Sequence, residues 1–134
     1  MDTRTLILLL VVLIILLLIW VSFNPSKKFG IHVFGFTIYN RIPIPYFDIK
    51  IHADGSFSLR GKSHLIQESE IREILNEKPN ILVIGTGYSE LAQLENIPDL
   101  NANIEIINTE EAITRFNYLK EQNKKVAAII HTTC

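Results

Sequence analysis

The chain has 134 residues, of which 48% are hydrophobic and 20% charged, with a formal net charge of -1. That length allows one small domain, and a balanced, unclustered charge excludes the basic footprint that nucleic-acid binding requires. Its single cysteine cannot form an internal disulfide, which fits a reducing compartment.

Leu6 to Phe23 reads LILLLVVLIILLLIWVSF, with Ser22 its only polar side chain. At about 1.5 Å rise per residue such a helix spans roughly 27 Å, close to a bilayer's hydrocarbon thickness. Residues 1–23 are therefore read as a transmembrane anchor. A cleaved signal peptide would need small residues after its apolar core, and Trp20, Val21, Ser22, Phe23, Asn24 and Pro25 stand there instead. Trp20 and Phe23 suit an interfacial belt. Arg4 before the helix nearly balances Lys27 and Lys28 after it, and the following domain is assigned to the cytoplasmic side.

Residues 24–28 (NPSKK) read as a polar linker before a domain at 29–134. Ile31–Tyr39 and Tyr46–His52 alternate as half-buried strands do, and Arg41–Pro45 breaks the pattern between them. A turn at Ala53–Ser56 leads to a short run, Phe57–Arg60, so this half reads as an antiparallel meander. Gln67–Glu77 spaces Ile71, Ile74 and Leu75 on one helical face. Asn80–Ile84, Ile104–Ile107 and Val126–Ile130 are read as short, mainly apolar runs, as strands covered on both faces are. Between them come a helical stretch around Ser89–Glu95, a turn at Pro98, and a helix from Thr109, its cap, to near Asn123. Strand alternating with helix implies parallel strands and right-handed crossovers, hence an α/β domain.

The carboxyl ends of those three strands then share one sheet edge, where open α/β sheets bind ligands. That edge collects Gly85, Thr86, Gly87, Tyr88 and Ser89, then Asn108 and Thr109, then His131, Thr132, Thr133 and Cys134. Backbone N–H groups of the glycine loop suit a small anion. The loop departs from a nicotinamide fingerprint, because the third glycine position holds Glu90 and the next strand ends in Asn108 rather than an acid. Cys134 beside His131 invites a nucleophile-and-base reading. A carboxylate on a chain-ending Cys134 would oppose thiolate formation, which shifts the weight to His131. Arg60, Lys62 and His64 read as a solvated loop or an anion site. His32 and His52 lack partners at metal-ligand spacing, Asp48 and Asp54 read as strand and turn residues, and no carboxylate pair stands out as acid and base. No catalytic residue, metal or cofactor is therefore assigned.

The segments "LVIGTGYSE" at 82–90, "TEEAITRFNYLKEQNKKVAAIIHTTC" at 109–134 and "LRGKSH" at 59–64 together resemble the Mth-type domain family, a domain of unknown function. The likeness extends to adipogenesis-associated Mth domain-containing proteins and, more distantly, to a mitochondrial complex I assembly factor. It implies a three-layer β/β/α domain on a mixed central sheet, with no established catalytic activity. It also implies a polar pocket at Arg60, His64, Gly85, Thr86, Gly87, Asn108, Thr109 and His131. The expected function is a membrane-anchored, non-catalytic interaction or assembly module with a protein partner. The alternative is a small-anion or enzymatic site at the carboxyl edge of the sheet.

Overall fold

The computed structural model of the protein describes residues 1–97 and 101–134, so the turn expected at Pro98 lies outside the described residues. Helix α1 (Thr3–Phe23) starts at Asp2, whose side chain accepts from the Thr5 N–H, and buries none of its residues. It ends at Asn24, which is fully buried. The Asn24 side-chain amide donates to Trp20 O, its Oδ1 accepts from the Ile31 N–H, and Arg41 Nε donates to its carbonyl. Gly30 lies so close that any Cβ there would overlap the Asn24 side chain. The 24–28 segment is thus tied down rather than a loose linker, with Ser26 Oγ and the Lys27 N–H both donating to Asn40 Oδ1.

Strands β1 (Phe29–Val33), β2 (Phe36–Tyr39) and β3 (Ile42–Pro45) form an antiparallel sheet. Ile31–Tyr39, expected as one strand, is a hairpin, because Gly35 at φ 73° reverses the chain. The expected break at Arg41–Pro45 is strand β3. Pro43 and Pro45 fit there because β3 is an edge strand, where a missing N–H donor costs no ladder bond. Asn40 and Arg41, at φ 51° and 67°, make the left-handed two-residue turn into it.

The chain then leaves this sheet for a larger one. Strands β4 (Asp48–Ile51) and β5 (Phe57–Arg60) pair antiparallel. The two-residue β6 (Leu65–Ile66) leads to helix α2 (Glu68–Leu75), where Gln67 and Glu70 form a reciprocal capping box. Next come β7 (Ile81–Gly85), β8 (Gln93–Leu94), β9 (Ile104–Ile107), helix α3 (Thr109–Glu121) and β10 (Val126–Ile130). The five-stranded sheet runs β5-β4-β10-β7-β9, with β10, β7 and β9 parallel as expected and β4 antiparallel to β10. The helix expected around Ser89–Glu95 does not form. Its Ala92, Gln93 and Glu95 N–H groups bond instead to the Thr86, His64 and Ile66 carbonyls.

Three layers result. The β1–β3 sheet and α3 lie side by side on one face of the central sheet, where Phe29, Tyr39, Ile49, Val83, Phe116 and Ala128 pack together. On the other face α2 buries Ile71 and Ile74 against Leu82, Ile84, Ala127 and Ile129. The mixed α/β architecture is the one expected from the strand and helix pattern.

Candidate functional site

The register of three strands builds the centre of the site. Asp48 on β4 pairs with Arg60 on β5, and Ile49 pairs with Ile130 on β10. One step further along, His131 comes opposite Asp48. Because side chains alternate, Arg60, Asp48 and His131 form a row across the sheet on the face covered by α2, which presents Glu70.

All three are buried. Asp48 Oδ2 accepts from His131 Nδ1 at 2.6 Å and Arg60 Nη1 at 3.1 Å, while Oδ1 accepts from the Thr132 N–H at 3.0 Å. Arg60 also donates bidentately to Glu70, at 2.7 and 3.0 Å, and to the carbonyls of Ser63 and Leu65. Such pairing is what makes buried charge tolerable. Arg60 is therefore not part of a solvated loop, and its guanidinium is spent inside the protein rather than offered to a ligand. Burial alone would raise the Asp48 carboxyl, but hydrogen bonds from His131 and Thr132 and the charges of His131 and Arg60 hold it below the ordinary range. The same Asp48 bond raises His131 above its ordinary value against the opposing effect of burial.

The glycine loop is occupied by the protein itself. Thr86 N–H donates to Ile107 O, Gly87 N–H to Thr109 Oγ1, and Ser89 N–H to the main-chain oxygen of Cys134. Gly87 has φ 100°, and a Cβ on it would lie 2.5 Å from Thr133 O. Its glycine thus admits the 131–134 segment alongside. Thr109 Oγ1 in turn donates to His131 O, stitching loop, α3 and β10 together. The α3 cap is Asn108, not Thr109, with its side chain accepting from the Glu111 N–H. Asn108 also borders an open groove of about 630 Å³ that holds Glu110 and Glu111, acids that disfavour an anion.

Beyond His131 the chain brings Cys134 Sγ to 2.9 Å from Nε2 of His64, an exposed residue between β5 and β6. The His64 and His131 rings meet edge to face at 5.2 Å between centroids. The His64 contact, then the proximity of His131 and Thr133, pulls the Cys134 thiol down to about 7. The sequence reading expected the opposite, because nothing in the sequence placed His64 beside the cysteine. Sequence reasoning also passed over Asp48 and Glu70. The one available signal was Glu70 at the third position of its helix, which marked only a cap. His32 bonds the Gly30 carbonyl, and His52 sits between Glu77 and Ser58.

A mixed sheet carrying a buried Arg–Asp–His row that ends in a histidine-flanked cysteine defines a small α/β domain with its polar centre at the carboxyl edge. Residues 32–131 match the family described as protein of unknown function (DUF498/DUF598), and the chain belongs to it. It is similar in structure to MT938, with 34% identity and a TM-score of 0.71 over 80% of this chain and 98% of that one. A conserved hypothetical protein, PH1505 from Pyrococcus horikoshii, shows 26% identity and a TM-score of 0.66 over 80% of this chain and 99% of its own. A protein described as an outer membrane protein from Bartonella henselae shares 17% identity at a TM-score of 0.64, over 84% of this chain and 99% of that one, a likeness of fold alone.

The row fixes a pH dependence. A histidine raised in the folded state contributes stability that is full below its unfolded value of 6.5 and is lost as the pH rises through the folded value. Asp48, lowered from 3.8, contributes stability that is lost as the pH falls through its folded value. Thermal unfolding of the full chain in detergent is therefore expected to weaken above pH 6.5, a decline that His131→Gln removes. Asp48→Asn, which removes one of the two carboxylates beside Arg60 while Glu70 stays paired, is expected to destabilise the fold by less than the about 3–5 kcal/mol of a fully stranded buried charge.

Proposed function

We propose that this protein is a single-pass, membrane-anchored interaction module. Helix α1 crosses the bilayer, the α/β domain stands on the cytoplasmic side, and the domain recruits a protein partner or helps assemble a complex without turnover of its own. The observation that carries this reading is α1 itself, with mean hydropathy 3.5 over an 18-residue window and none of that window buried. A helix of that composition left uncovered in water would expose an apolar surface far larger than monomers tolerate. The same helix near the N-terminus also fits a signal sequence. The Asn24 clamp favours the anchor, because Asn24 holds Trp20 O through both its backbone and side-chain N–H groups and is itself buried in the domain.

Against turnover stands the internal use of donors at the carboxyl edge. Arg60 and the Thr86, Gly87 and Ser89 N–H groups are engaged within the protein, so they are not poised toward charge developing on a substrate. The resemblance to the adipogenesis-associated and complex I assembly branches of the Mth-type domain supports an assembly role by analogy.

Alkaline carbonate extraction of membranes from cells expressing the full chain tests the anchor. The protein is expected in the pellet at full length, and cross-linking before detergent extraction is expected to capture a discrete protein partner. A soluble product beginning near Asn24, or no partner with and without cross-linker, contradicts the reading.

A second reading, chemistry at the carboxyl edge, is favoured by the Cys134–His64 contact at 2.9 Å. The thiolate is the nucleophilic form, and a thiol half-ionised at about 7 is largely reactive at neutral pH. The pH profile of Cys134 alkylation is expected to have its midpoint near 7, and His64→Ala is expected to move it toward the ordinary 9.0. Coincident profiles for the two proteins would remove the basis for this reading.

A further inference from the structure

The first evidence of a ligand at this edge is a nitrogen with nothing to bind. His131 is fully buried, its Nδ1 is held by Asp48, and its Nε2 has no hydrogen-bond partner. A buried polar atom left unpaired is costly, and native structures carry few without a reason. Facing that ring are His64 and Cys134, and one ligand atom from each of the three residues lies within 4.8 Å of the others. We propose that His64, His131 and Cys134 form a three-ligand site for a thiophilic divalent cation of the zinc class, with the fourth position open to water or a further ligand.

The donor set points to that class of ion. One thiolate and two imidazoles are soft and borderline ligands, suited to zinc and its neighbours and not to magnesium or calcium, which take oxygen. Three protein ligands with one vacancy is also the arrangement of zinc sites that bind something further.

The surroundings fit as well. Asp48 accepts from His131 Nδ1, which turns Nε2 outward as the ligating atom and raises its basicity, the usual carboxylate–histidine–zinc relation. Arg60 and Thr132 hold that carboxylate from the other side. Among the described residues no other group of three histidines, cysteines or acids has this convergence.

Geometry requires a small adjustment. Tetrahedral zinc with Zn–N of about 2.0 Å and Zn–S of about 2.3 Å separates its ligand atoms by roughly 3.3–3.6 Å. The His64–Cys134 contact at 2.9 Å must open slightly and the widest separation must close. Both moving residues are free to do so, since His64 is exposed on a loop and Cys134 is half-buried, while His131 stays fixed as the template. The cation and the hydrogen-bonded thiol are then two states of one cluster.

Cobalt titration of the full-length protein in detergent, purified without a polyhistidine tag and stripped with chelator, tests the site. One equivalent of Co²⁺ is expected to produce a thiolate charge-transfer band in the near ultraviolet that Zn²⁺ displaces. Cys134→Ser is expected to abolish the band. His64→Ala, a substitution at an exposed position with its fold checked by thermal melt, is expected to weaken binding at least as much as the ~10-fold typical of a lost supporting group. Saturating Zn²⁺ is expected to slow iodoacetamide alkylation of Cys134, with recovery on adding chelator. A wild type with no band, or an affinity that either substitution leaves unchanged, overturns the proposal. The result is independent of the membrane test, which reads only α1.

Discussion

The site depends on one buried carboxylate. Asp48 sits where β5, β4 and β10 line up, and it accepts from Arg60, His131 and the Thr132 backbone at once. Without it, Arg60 would keep Glu70 as its one carboxylate partner, and His131 would have no reason to present one particular nitrogen to the sheet edge. Buried ion pairs of this kind contribute little net stability, since desolvation offsets most of the attraction. Their worth lies in fixing geometry, and here the geometry fixed is that of His131.

From that point the rest of the edge follows. The 131–134 segment leaves β10 beside the glycine loop, which accepts it because Gly87 lacks a Cβ. Thr109 holds His131 O, so α3 is stitched to the same segment. Cys134 is thereby delivered to His64, a residue 70 positions away in sequence. An edge that looked suited to cradling an anion uses its backbone donors on its own chain. What it leaves unengaged is the Nε2 of His131, beside a sulfur held by His64.

The parallel half of the fold was legible because β7 and β10 are continuous apolar runs and an amphipathic helix precedes β10, whereas β9, expected to be covered on both faces, is an edge strand with Glu105 paired to Arg115. The antiparallel half was not. Pro43 and Pro45 argue against a strand unless it is known to lie at an edge, and edge position is a tertiary fact. Gly35 splits an otherwise unbroken alternation, which periodicity alone does not register. The candidate site was half legible for the same reason. Gly85, Gly87, Thr109 and His131 fall at strand and helix ends and announce themselves by position, whereas Asp48 is a single acid in an alternating strand. Its importance comes from register across three strands, and register is not written in any local window. His64 was noticed as a loop residue, but its contact with Cys134 required the path of two connections.

The end of α1 is fastened to the domain that carries the site, since Asn24 joins it to β1 and to Arg41. The family match begins only at residue 32, past α1. The central claim, however, concerns His131. Long-range nitrogen-15 correlation spectra of the histidine rings in the full-length protein test it most directly. The account predicts that His131 keeps its proton on Nδ1 in the neutral ring and titrates above 6.5. A neutral ring protonated on Nε2, or a midpoint below 6.5, would contradict it.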